Sequence, residues 1–230
     1  MFLAQVEVGT HLYWKFAGYL IHGQVFLVTW FIIINLILAS LFLIFNIKNV
    51  PSKFQMILEF NLDFIKDIIK SYLKKNYNKT YISFIGTLFL YILLCNWSGS
   101  LIPWKLIKIK RGELSAPTNN LNTTSVLALI VSFSYFCIGI TKKQLKFFNH
   151  YIKPIPLFLP FNLIEDITKP LSLSFRLFGN ILADELTISV LTSLIPLFIP
   201  LPIMLLGFFT GSVQALIFAT LATSYISEAI

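Results

Sequence analysis

Long apolar runs alternate along the 230-residue chain with shorter polar connections rich in lysine. The first run, "QVFLVTWFIIINLILASLFLIF" at residues 24–45, is long enough to cross a bilayer as a helix. Residues 52–75 read differently. Phe54, Ile57, Leu58, Ile65, Ile68, Ile69 and Tyr72 recur there at three- and four-residue spacing, and Lys53, Asp63, Lys66, Asp67, Lys70 and Lys74 fill much of the remainder. That pattern predicts an amphipathic helix lying on the membrane surface or against a partner. Further crossings are expected at 81–102, closed by Pro103, and at 123–140, with the turn-rich "PWKLIKIKRGELSAPTNNLN" leaving the membrane between them. Pro154, Pro156 and Pro160 argue against a regular helix in the next connection. Two long elements follow, 163–195 and 203–228. At helical rise they reach about 50 Å and about 39 Å, against a hydrocarbon core of about 30 Å, so both must tilt. The proline-marked "IPLFIPLP" between them makes an antiparallel hairpin. The expectation is an all-α membrane protein: one membrane domain over 1–230, a 23-residue N-terminal segment, about five transmembrane helices and one interfacial helix.

Composition sharpens this reading. With 57% hydrophobic and only 12% charged residues, the chain lacks the charge that a water-facing surface needs, which is roughly 25% in soluble domains. The net charge of +8 lies in the connections, with no basic face of interleaved stacking aromatics, so nucleic acid is excluded as a partner. Residues 46–80 and 141–162 together hold eleven lysines, whereas Lys15, Lys105, Lys108, Lys110 and Arg111 make five basic residues on the other side. The N-terminus is therefore expected to face away from the side where the chain is made. Cys95 and Cys137 fall inside apolar runs and read as small buried hydrophobes rather than a disulfide. The opening residues show neither the basic segment nor the cleavage site of a signal peptide.

The segment "KPLSLSFRLFGNILADELTISVL", residues 169–191, raises the chemical question. Upstream, Asn162 and Glu165 have the spacing of a helix N-cap and its third-position acid, and Glu165 and Asp166 sit at the positive end of the dipole. Pro170 is expected to kink the helix. Arg176 is then left alone. A charge at mid-bilayer costs at least about 2.5 kcal/mol, yet Asp184 lies about 12 Å and Glu185 about 13.5 Å further along the axis, the latter on the opposite face. Asn180, four residues on, offers only hydrogen bonds. Arg176 must face water, another helix, or a carboxylate of another chain.

"PLSLSFRLFGNILADEL" followed by "IPLPIMLLGFFTGSVQALIFATLATSYISEAI" closely resembles subunit a of the F-type ATP synthase membrane sector, and is most similar to its plastid and cyanobacterial form. The likeness extends to "VEVGTHLYWKFAGYLIHGQV", "NWSGSLIPW", "GELSAPTNNLNTT" and "LPFNLIEDITKPLSLSFRLFGN". It implies two tilted helices against a rotating ring of c subunits, with peripheral-stalk b-type subunits and the lipid bilayer as further partners. It also implies a plastid thylakoid location, with the N-terminus in the lumen and the C-terminus in the stroma. Arg176 matches the arginine that faces the ring carboxylates and separates two proton half-channels. The resemblance implies no cofactor, metal or catalytic centre.

By the same likeness Glu185 and Asp184 belong to the uptake half-channel, lined by Asn180 and Gln214. For Gln214 the channel reading is preferred over an interhelical hydrogen bond, and for Asn180 the two readings stand evenly. Glu228 either lines the release path or sits in water at the interface. Two departures stand out. Bacterial members often place a histidine where this chain has Gly207, and glycine where it has Asp184. Plastid members have "PTND" where this chain has "PTNN", so Asn120 replaces an acid and Glu113 remains as the acid of that loop. His11, His22 and His150 lack metal-ligand spacing, no phosphate-binding glycine loop occurs, and the sequons at Asn78, Asn96 and Asn122 read as accidental. Rival readings are a stand-alone ion-coupled secondary transporter, disfavoured by the absence of a repeat, and a membrane enzyme using Asp184 and Glu185, disfavoured because adjacent helical residues diverge by about 100°.

Overall fold

The computed structural model describes residues 13–16, 19–45, 51, 53–73, 79–101, 115–144, 159–194 and 200–229. Among these, six α-helices carry the architecture: α1 (Gly23–Phe45), α2 (Lys53–Leu73), α3 (Lys79–Leu101), α4 (Leu121–Lys143), α5 (Leu159–Leu194) and α6 (Pro200–Ala229). A 3-10 turn at Pro117–Asn119 precedes α4. Before α1, β1 (Tyr13–Phe16) pairs antiparallel with β2 (Tyr19–His22), Trp14 opposite Ile21. The sequence reading did not anticipate this hairpin, although its aromatic and aliphatic residues suit strands.

The chain is an all-α membrane protein apart from that hairpin. Among the described residues, four helices are long and apolar enough to cross a bilayer: α1, α3 over Thr80–Ser100, α4 and α6. α5 is not among them. Its 36 residues reach about 54 Å, but Glu165, Asp166, Lys169, Arg176, Asp184 and Glu185 interrupt its apolar character.

Lipid tails are as apolar as leucine, so close packing rather than the hydrophobic effect joins such helices. α6 presents Gly207, Gly211, Ala215, Ala219 and Ala222 at four- and three-residue spacing, all buried. α3 lies against α6 more extensively than any other pair of helices meets. A Cβ at Gly211 would stand 3.1 Å from that of Asn96 on α3, so only glycine allows this approach without displacing a neighbour. Ile85, Ile92, Phe218 and Ile226 fill the same core and are buried to 0% exposure. α5 packs on α4 and α6 through Leu173, Leu177 and Ile181.

α2 buries Ile65, Ile69 and Leu73 against α3 and α6 and leaves Met56, Phe60 and Phe64 exposed. Its Asp63–Lys66 and Asp67–Lys70 pairs also remain exposed. One face of this amphipathic helix is thus covered by its own chain. α1 is peripheral, touching α3 through Val28, Ile32 and Cys95 while Phe31, Leu38 and Phe45 face outward.

Three details correct the reading of the sequence. α5 begins at Leu159, so Asn162 lies inside the helix and is not its cap. Pro160 falls in the first turn, where its missing N–H costs no intrahelical bond; Pro154 and Pro156 lie outside the described residues. Cys95 is buried and Cys137 is exposed; both are free thiols. Pro170 stands within α5, which runs on through it although proline has no N–H for the intrahelical ladder.

Candidate functional site

Three polar contacts fix how α5 and α6 meet. Thr210 Oγ1 donates to Asp184 Oδ2 at 2.8 Å, Asn180 Nδ2 donates to Gln214 Oε1 at 2.7 Å, and Lys169 Nζ meets Glu228 Oε2 at 2.7 Å. Positions fall along α5 as they rise along α6, so the two helices form an antiparallel hairpin. α4 runs antiparallel to α5 as well: Thr124 and Ser174 hydroxyls lie 3.2 Å apart, and the ring of Tyr135 lies under Lys169. The polar residues of α5 consequently form two clusters, one at each end of the bundle, with Arg176 between them.

The first cluster is built around the two acids. They diverge as helical geometry requires, Asp184 towards α6 and Glu185 towards the 3-10 turn. That turn is set by Pro117 at its first position and by Asn119 N–H bonding to Ala116 O at 3.0 Å. Ala116 N–H donates to Glu185 Oε1 at 3.3 Å, and Asn119 Nδ2 donates to Glu185 Oε2. Gly99 of α3 makes this seat possible, because a Cβ there would stand 2.8 Å from that of Ala116. On the α6 side, a Cβ at Gly207 would meet Asp184 Oδ2 at 3.6 Å. The carboxylate of Asp184 therefore stands beside the position where a larger Gly207 side chain would project. Asn96 joins the cluster from α3 by donating to Gly211 O at 2.9 Å. Asn96 Oδ1, Thr118 Oγ1 and Asn119 Oδ1 are buried with no hydrogen-bond partner among the described residues. Buried polar atoms of this kind ordinarily bind water.

The second cluster surrounds Lys169. Its ammonium pairs with Glu228 at 2.7 Å and with Glu165 at 3.1 Å, and lies 5.5 Å from the Tyr225 ring centroid and 5.8 Å from that of Tyr135. Lys143 Nζ donates to the Glu228 backbone carbonyl at 3.3 Å.

Arg176 lies about 10.5 Å along the axis from Lys169 and about 13.5 Å from Glu185. Its side chain is exposed, and among the described residues no carboxylate stands within ion-pair distance of it. On the same exposed face of α5 lie Ser172, Gly179, Ala183 and Thr187, and nothing comes within 4 Å of a Cβ built on Gly179.

Of the residues singled out from the sequence, the structure brings Asp184 and Glu185 into one cluster, pairs Asn180 with buried Gln214, and places Glu228 in the other cluster. Asn120 caps α4 by accepting from Asn122 N–H at 2.9 Å. That task needs only an acceptor oxygen, which asparagine and aspartate both supply. Glu113, His11 and His150 lie outside the described residues. Sequence reasoning missed Asn119, Thr210, Asn96 and Lys169 as partners. The signal for Asn119 was its place beside Pro117 at a helix start; the others carried none. Asn96, at 2% exposure, is spent on an interhelical bond. Among the described residues no group of three His, Cys, Asp or Glu is placed to hold a metal.

Membrane-length helices with charged and amide side chains gathered along one polar helix define a multi-pass membrane protein. The model of the ATP synthase A chain family matches residues 26–227, nearly the whole chain, and the chain belongs to that family. It is a non-catalytic proton-channel subunit of the synthase membrane sector, and its family works against the c-ring within that complex.

Proposed function

We propose that the chain is the stator of a rotary synthase in which two offset half-channels meet the ring and Arg176 keeps them apart. The uptake half-channel runs through the cluster of Asn119, Glu185, Asp184 and Thr210, with Asn180 and Gln214 between it and Arg176. The release half-channel opens at the end of the bundle where Glu228 lies. A proton arriving through the first neutralises a ring carboxylate, which then tolerates lipid because a neutral acid costs far less there than an ion. After nearly a full rotation the acid approaches Arg176, whose fixed charge favours ionisation, and the proton leaves by the second path. Arginine suits the role because it does not lose its own proton, whereas a desolvated lysine does.

The observation that carries this reading is Arg176 itself: exposed, unpaired by any described carboxylate, and flanked by small residues. Small side chains let another helix come close, so a neighbouring carboxylate can reach the guanidinium. The unpartnered polar atoms near Glu185 support a hydrated uptake path. The lysine-rich connections adjoin α2, whose Tyr72 carbonyl accepts from Ser227 beside Glu228. That supports a release side where the chain is made, which in the plastid form implied by the sequence is the thylakoid stroma, with the N-terminus in the lumen. Peripheral-stalk subunits complete the stator.

A cysteine at Gly179 tests the contact. Gly179→Cys should cross-link to a cysteine introduced near the ring carboxylate under oxidation, giving a band containing one copy of each subunit. A chain that purifies alone and never cross-links to the ring would instead be a stand-alone transporter.

A further inference from the structure

The proposed proton path makes no use of Lys169, yet this residue is closely engaged. Its side chain is 18% exposed, pairs with two carboxylates and stands against two aromatic rings. Its partners come from three helices: Glu165 from α5 itself, Tyr135 from α4, and Tyr225 and Glu228 from α6. The last turn of α6 is also held by Lys143 of α4 at the Glu228 carbonyl and by the Tyr72 carbonyl of α2 at Ser227. Four helices therefore converge on one ion pair, two turns of α5 from Arg176.

We infer that the Lys169–Glu228 pair is a clasp that sets the position of Arg176 against the ring, with Glu228 as its anion. The inference rests on the proposed separation of half-channels by Arg176. Pro170 explains why a clasp is needed at this place. It removes a backbone bond one residue after Lys169, so the turn carrying Arg176 is weakly tied to the turn before it. A cation held from α4 and α6 restores that tie across helices. Glu228 suits the role of anion by its placement, with Oε2 at 2.7 Å from the ammonium and its backbone carbonyl held by Lys143. Lys169 is a positioning residue: it meets neither the ring nor the transported proton.

The test is a double-mutant cycle in the assembled synthase, using Lys169→Gln, Glu228→Gln and the reversed pair Lys169→Glu with Glu228→Lys. ATP-driven proton pumping in vesicles and the melting temperature of the membrane sector are both read. Each single variant should lower coupled pumping roughly three- to ten-fold, and the reversed pair should recover most of it, as coupled neighbours do. Lys169→Arg should pump better than Lys169→Gln even if the reversed pair fails to assemble. Normal pumping by Lys169→Gln would overturn the clasp. So would a Glu228→Gln defect that neither the reversed pair nor Lys169→Arg distinguishes from loss of a proton carrier. The melting cycle reports the ion pair without reference to transport. A coupled pair by melting with unaffected pumping in every variant, Arg176→Gln included, would instead fault the half-channel reading.

Discussion

Glu185 is held by two donors that come from outside its helix, the Ala116 N–H and the Asn119 amide. Leaving a buried acceptor without its donor costs about 1–3 kcal/mol, so losing the side-chain donor should be felt in proton uptake. Asn119→Leu is expected to lower pumping by about ten-fold or more. The adjacent Asn120→Asp should leave it within about two-fold, because the capping oxygen survives. Equal defects in the two variants, measured by ATP-driven acidification, would mean that the turn and not the Asn119 contact matters. Legibility at this scale follows cost. Arg176, Asp184 and Glu185 stood out because charge in an apolar run must be compensated. Thr210 and Asn96 were silent, since a neutral polar residue in a helix needs no special explanation until its partner is seen.

The helices were legible from their apolar runs, and the hairpin of α5 and α6 from length and prolines. Which faces meet was less so. α6 is apolar all round, so periodicity did not reveal its packed side; the stripe from Gly207 through Gly211 to Ala222 did so only once α3 lay against it. Gly211→Val should cost about 1–3 kcal/mol through overpacking against Asn96. Gly86→Ala, whose added Cβ would meet only Leu62 at 3.9 Å, should be neutral or slightly stabilising. Thermal unfolding of the detergent-solubilised complex decides, and equal melting of both variants would contradict close α3–α6 packing. The start of α5 was misplaced because Pro160 reads as a breaker in isolation, yet the first turn of a helix accepts it. The β1–β2 hairpin was too short to register against the long runs that follow it.

Across the whole molecule, the clusters of Glu185 and of Lys169 sit at opposite ends of one bundle, and the C-terminal ends of α2 and α4 meet the second through Tyr72 and Lys143. A cysteine placed at Ser71 on α2 should react with an impermeant maleimide from the same side as one placed at Lys143. One placed at Ser115 should react from the other side, and labelling of all three from one side would break the two-ended arrangement. The sequence carried this asymmetry in its charge distribution. What it did not carry alone was a partner for Arg176; the proposal that the ring supplies it entered through resemblance to a family. The most direct test of the central claim compares wild type with Arg176→Gln in vesicles holding the assembled complex, reading passive and ATP-driven proton flux together. Coupled pumping should vanish while assembly persists, because nothing then forces ring carboxylates to ionise or separates the two paths. Pumping at normal coupling would contradict the account.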